Sequence, residues 1–193
     1  MHINQPMNDF VIHLLKSKIP ATHYYHNYEH TLYVMDKVLE IGKHENCSEN
    51  ELELLHTAAL WHDTGYINTY KGHEAASCTL VRQYLPGYGY CPEDIDRICG
   101  MIMATKIPQS PKNKLEEILA DADLEYLGTD KATVLANHLF NELKTLNPLL
   151  TEKTWNKTEI DFLTAHLFFT VYCKENKEHS KQAYLKSLVN KKA

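Results

Sequence analysis

Four of the twelve histidines stand where their neighbours could join them in chemistry. His26 and His30 are four apart, so on a helix they share one face. His62 is followed directly by Asp63, and His73 by Glu74. A further acidic pair, Asp121 and Asp123, interrupts an otherwise apolar helical stretch. A carboxylate on an apolar face is costly to bury unless it is paired or bound to a cation. Residues two apart on a helix point about 200° away from each other. Asp121 and Asp123 therefore cannot easily share a buried face, and one is left to meet solvent or cap a turn. Two His and two carboxylates make a mixed nitrogen and oxygen site, suited to Mn²⁺, Fe²⁺, Co²⁺, Ni²⁺ or Zn²⁺ with water completing the shell. The set lacks thiolates, so a closed structural zinc site is not expected. His2, His13, His23, His44, His56, His138, His166 and His179 show no partner pattern and read as ordinary surface or core histidines.

The charge balance bears on what such a site would handle. The formal net charge is −5, and all but two of the 20 basic residues are lysines, the exceptions being Arg82 and Arg97. Nucleic acid is therefore not expected as a main partner. Bidentate Arg clamps on phosphate are nearly unavailable. An anionic substrate would need a local positive centre such as a metal ion. The five cysteines, at 47, 78, 91, 99 and 173, form no C-x-x-C and read as reduced thiols. No basic and apolar leader is visible in Met1 to Phe10, and no apolar run approaches the ~20 residues of a membrane span. A cytoplasmic protein without a membrane partner is the expectation. The oligomeric state is left open.

The elements that must position these residues read as helices. Ser48 and Glu51 form a capping box, followed by Leu52, Leu55, Ala59 and His62 at helical spacing, with an end near Gly65. Pro92 suits a first turn, and Ile95, Ile98 and Ile102 follow until Pro108 and Pro111 stop the pattern. Leu115, Ile118, Leu119 and Ala122 continue it, with Gly128 expected just past the helix end. Leu135, Leu139, Leu143 and Leu146 form another stripe. Ile160, Leu163, Leu167 and Val171 form a last one, with Thr158 as its N-cap. The segment Leu146 to Lys157 reads as a loop, and the run from Phe162 to Phe169 as core. Alternating strand patterns are nearly absent. The fold class expected is all-α, one compact domain of roughly seven to nine helices spanning 1–193.

Three sequence words then carry a resemblance. Tyr25-His26-Asn27-Tyr28-Glu29-His30 resembles a YHNxxH motif. Trp61-His62-Asp63-Thr64-Gly65-Tyr66 resembles a central His-Asp motif with its following Gly, and Ala122-Asp123-Leu124 a closing Asp motif. The order His30 … His62-Asp63 … Asp123 is similar to the H … HD … D signature of the HD-domain metal-dependent phosphohydrolases. The resemblance covers about residues 23–145, leaving a C-terminal helical pair at about 155–190. It implies an all-α bundle in which His30, His62, Asp63 and Asp123 ligate a divalent metal (Mn, Fe, Co, Ni, Mg or Zn), with Asp121 as the fallback for Asp123. Ala104-Thr105-Lys106 stands where dinuclear members place another His, so one metal is expected.

The same resemblance implies hydrolysis of a phosphomonoester or phosphodiester of a small molecule, a nucleotide being favoured, by metal-activated water. His26 would protonate the leaving oxygen, as the first His of this word does in cyclic-nucleotide phosphodiesterases. Asp63 would orient the water, and Lys106 would meet a phosphate as a point charge. His73 and Glu74 are expected next to the ligands or facing the substrate. Asn27 could cap its helix, and Tyr25, Tyr66 and Tyr126 could line a pocket. Two rivals are an iron-dependent oxygenase on the same scaffold and a non-catalytic nucleotide-binding module.

Overall fold

Apolar residues at helical spacing, broken by capping residues and prolines, fold this chain into helices alone. The computed structural model describes residues 4–190, and His2 lies outside them. Ten α-helices occur among the described residues, more than the seven to nine expected, and no strand. They are α1 (Gln5–Lys18), α2 (Tyr28–His44), α3 (Glu49–Trp61), α4 (His73–Tyr84), α5 (Pro92–Ala104), α6 (Lys114–Leu124), α7 (Ala132–Leu146), α8 (Glu152–Ala165), α9 (Val171–Asn176) and α10 (Glu178–Asn190). Short 3-10 turns at Thr64–Ile67, Leu85–Tyr88 and Glu125–Gly128 join some of them.

Helix α3 is the centre of the fold. Its capping box at Ser48 and Glu51 is present as the sequence predicts. The spacing suggests a single apolar stripe, yet every residue from Leu54 to Trp61 is buried. A helix hydrophobic all round belongs inside a bundle, and α2, α5 and α6 pack about it. Val34, Val38 and Ile41 of α2, Ile98 and Ile102 of α5, and Ile118 and Leu119 of α6 complete this main core. A second apolar cluster lies where the Glu125–Gly128 turn and α7 meet α8 and α10, built from Leu127, Ala136, Leu163, Tyr184 and Leu188.

The C-terminal third departs from the pattern its sequence suggests. Helix α8 begins at Glu152, six residues inside the expected loop, because Thr151 and Thr154 form a capping box there. Thr158 is thus mid-helix, its hydroxyl donating to the Thr154 carbonyl, and is not a cap. The helix ends at Ala165, so Leu167 and Val171 drop off the stripe and stand 69% and 59% exposed. Among the described residues three helices, not a pair, follow α7. Gly128 has no left-handed backbone. It is small for another reason: a Cβ there would come within 2.5 Å of the Lys177 Cβ and 2.6 Å of its carbonyl oxygen. Close approach of the chain before α10 demands the glycine. No helix among the described residues is long and apolar enough to cross a membrane.

Candidate metal centre

The site is assembled at the ends of helices, where backbone geometry changes and side chains can be re-aimed. Asn27 caps α2, its side-chain oxygen accepting from the Glu29 and His30 amides at 2.9 and 3.3 Å. His30 therefore sits in the first turn of α2, while His26 precedes the helix. The two do not share a helical face as their spacing suggests; their ring centroids are 6.0 Å apart.

His62 closes α3. Its Nδ1 lies 2.7 Å from the Ala59 carbonyl, which makes Nδ1 the donor and turns Nε2 into the bundle. The turn Thr64–Ile67 then reverses the chain against α4. Gly65 is required here, since a Cβ would lie 1.9 Å from the His73 carbonyl oxygen. Ser77 of α4 locks the turn, donating to the His62 carbonyl at 2.6 Å and accepting from the Gly65 amide at 2.8 Å. That docking carries His73 to Asp63, with Nε2 and Oδ1 3.5 Å apart.

Three of the four anticipated ligands converge. One ligand atom each from His30, His62 and Asp123 lies within 4.8 Å of the other two. His30 Nε2 is 3.0 Å from Asp123 Oδ1 and 3.4 Å from His62 Nε2. Asp63 adjoins this trio: its Oδ2 is 3.2 Å from His62 Nε2 and 3.6 Å from His30 Nε2. Asp63 Oδ2 is buried and makes no hydrogen bond. A buried anionic oxygen facing two imidazole nitrogens is an arrangement that a cation would satisfy. Burial opposes charge throughout, yet the pairing prevails. His62 is held well above its ordinary pKa by Asp63 and Asp123, and those carboxylates are pushed down by the histidines.

Asp121 goes elsewhere. It is fully buried and accepts from the amides of Phe169 and Thr170 at 2.9 and 2.8 Å and from the Thr170 hydroxyl at 2.7 Å. It anchors the segment leading into α9, the capping role its spacing from Asp123 allows.

Glu142 of α7 is a site residue that no sequence motif marks. It is 1% exposed. Its Oε2 accepts from the Tyr25 and His26 amides at 2.8 and 3.0 Å. Its Oε1 lies 2.5 Å from His26 Nδ1 and accepts from the Tyr70 hydroxyl at 2.9 Å. Burial would raise its pKa, but the bond to His26 holds it at about 2. Burial opposes the charge of His26 in turn, and Glu142 foremost raises it. A trace is present in the sequence, since Glu142 falls on the face of Leu135, Leu139 and Leu146. His23, which its sequence context leaves without a role, packs edge-on against Tyr66 and tilted against Tyr70.

A cavity of about 830 Å³ opens over the cluster. His26, Asp63, His73, Glu74 and Asp123 line it, as do Tyr25, Tyr66 and Tyr126. Lys106, from the end of α5, and Lys71 are its cationic lining residues.

An HD-domain family model matches residues 27–125, which take in all four anticipated ligands. This chain belongs to the HD-domain family. A structure of a predicted HD superfamily hydrolase from an uncultured Thermotogales bacterium is similar over 99% of this chain and 97% of that one, with a TM-score of 0.61 and 18% identity. At that identity the likeness shows the HD-domain fold. No curated protein matches the chain. The His30, His62 and Asp123 cluster could hold a metal ion. Glu142 and helices α7 to α10 lie beyond the matched residues.

Proposed function

We propose that this HD-domain protein is a metal-dependent phosphohydrolase that cleaves a phosphomonoester or phosphodiester bond of a small molecule. The carrying observation is the convergence of His30, His62 and Asp123, with the buried Asp63 Oδ2 beside them, at the wall of a cavity. A divalent ion bound by His30, His62, Asp63 and Asp123 would supply Lewis-acid polarisation of a phosphoryl oxygen and lower the pKa of a water.

This chain's own residues would do the rest. Lys106 and Lys71 place positive charge in the cavity for phosphoryl oxygens, which an acidic, Arg-poor chain otherwise lacks. His26 is committed to Glu142 through Nδ1, which leaves Nε2 to carry a proton towards the cavity. The Glu142 carboxylate stabilises that protonated form, so His26 is the general acid for the leaving oxygen. His73, stacked on Tyr66 with centroids 3.9 Å apart, orients Asp63 from the side away from the other histidines. A cytoplasmic setting fits the reduced thiols.

The test is elemental analysis of the purified protein, coupled to phosphate release from a substrate panel with Mn²⁺, Mg²⁺, Fe²⁺, Co²⁺ and Ni²⁺. Phosphate release that depends on one of these ions supports the reading. Oxygen consumption with iron and no phosphate release, or tight nucleotide binding without turnover under any ion, overturns it.

A further inference from the structure

The cavity has two unlike walls. From the ends of α2 to α6 and the turns between them it takes His26, Asp63, His73, Asp123 and both lysines. Away from them it is bounded by Leu124 and Leu127 around the Glu125–Gly128 turn, Ala136 and Leu139 of α7, and Trp155 and Phe162 of α8. The polar groups that α8 adds are Thr158 and Glu159. The Glu159 carboxylate already accepts from the Tyr184 hydroxyl. Most of this wall lies beyond residues 27–125, in the part of the chain that the HD-domain model does not cover.

A substrate with its phosphate at the cluster must put its other end against this wall. A sugar or nucleoside would leave hydroxyls and ring nitrogens facing leucines, tryptophan and phenylalanine, with few partners to replace water. Beyond the cluster and the two lysines, the charged side chains that line the cavity are Glu74 and Glu159, which would repel a second or third phosphate. Among the described residues two lysines line the cavity, which suits one phosphate group. An aliphatic or aryl group, by contrast, gains from burial there. A volume of about 830 Å³ accommodates a small-molecule ligand of that kind.

We infer that the substrate is a phosphate monoester of an apolar alcohol, with the hydrocarbon or aryl group seated between α7 and α8, and not a nucleotide. This rests on the phosphohydrolase reading for the phosphate end, and on the cavity wall alone for the apolar end.

Two readouts separate the two. The first is calorimetric binding of ethyl-, butyl- and hexylphosphonate, which cannot be hydrolysed as esters, to the Mn²⁺-loaded protein, beside adenosine monophosphate. The expected result is a Kd that falls with chain length, ideally about fourfold per methylene and at least about tenfold from ethyl to hexyl. Adenosine monophosphate should bind more weakly than hexylphosphonate. Leu139 is half-buried on the cavity wall. Leu139→Trp should fill the apolar end and flatten the chain-length dependence. The second readout is phosphate release from the corresponding alkyl phosphates. A flat series in the unaltered protein, or tighter binding of adenosine monophosphate, overturns the apolar-substrate inference even if phosphate is released. A steep binding series with no phosphate release under any ion overturns the phosphohydrolase reading and upholds the apolar end.

Discussion

Replacing Glu142 by Gln would remove one charge and almost no volume from the contact that holds His26. An ordinary glutamate titrates near 4.5, whereas Glu142 is held at about 2. That gap corresponds to about 3 kcal/mol between its charged and neutral forms. It is the upper limit of what the native charge contributes to the fold. The contribution is full above about pH 4.5 and is lost as pH falls towards 2. The His26 contribution has the opposite sense: its folded pKa is raised, so it is present below about 6.5 and lost as pH rises through the folded value. The pair therefore stabilises the protein most between about pH 4.5 and 6.5. Gln retains an oxygen for the Tyr25 and His26 amides. Its NH₂, however, would face His26 Nδ1 and favour the neutral ring.

The expected outcome is a loss of about 1–3 kcal/mol in stability at neutral pH, with a larger effect on catalysis. The alkaline limb of the kcat profile should move to lower pH, since burial alone depresses His26. At pH 8, hydrolysis of an alkyl phosphate should fall by roughly 10- to 100-fold, up to the lower end of what general acids contribute. Hydrolysis of p-nitrophenyl phosphate, whose leaving group needs little protonation, should fall much less. Paired pH–rate profiles on both substrates, with Mn²⁺ content measured in parallel, make the assay. An unchanged alkaline limb in Glu142→Gln, with equal losses on both substrates, would refute the assignment of His26 as a proton donor set by Glu142.

Other outcomes follow from the same geometry. His62→Ala should abolish bound metal and turnover together; full metal-dependent turnover in that variant would sink the ligand set. Asp121→Ala should cost about 1–3 kcal/mol by freeing three donors near Thr170, while metal stoichiometry stays intact. Asp123→Ala should do the reverse, so metal loss in Asp121→Ala without destabilisation would transfer the role to Asp121. His166 is buried, lies 3.3 Å from the Lys181 ammonium and is depressed to about 4 by burial and then by that charge. Its unfolded form takes a proton near 6.5 and the folded form does not, so stability should fall between about pH 6.5 and 4, by at most about 3 kcal/mol. Denaturant titrations of His166→Gln should show a shallower acid slope, and an identical slope would disprove it.

Much of the fold is local and therefore legible in the amino-acid sequence. The Ser48 and Glu51 box, Pro92 in a first turn and the apolar spacings of α5 and α6 each depend on residues within a turn or two. The C-terminal stretch misleads for the same reason. Thr158 is a plausible cap in sequence, but the helix is capped by Thr151, whose hydroxyl accepts from the Thr154 amide, and Trp155 is buried one turn on. Leu167 and Val171 fit a helical period that the chain abandons at Ala165.

The order of residues along the chain sets the chemistry on offer: two histidines, an adjacent aspartate and a later acidic pair in an acidic chain with two arginines. Helix packing settles how that chemistry is deployed. It sends Asp123 to the cluster and Asp121 to the α9 junction. It brings Glu142 to His26 across 116 residues. It also closes one side of the cavity with apolar side chains from α7 and α8. Within a helix, periodicity fixes which residues share a face, because that is a property of a few neighbouring turns. Which faces meet, and which buried charge finds which partner, depends on contacts between residues far apart in the chain.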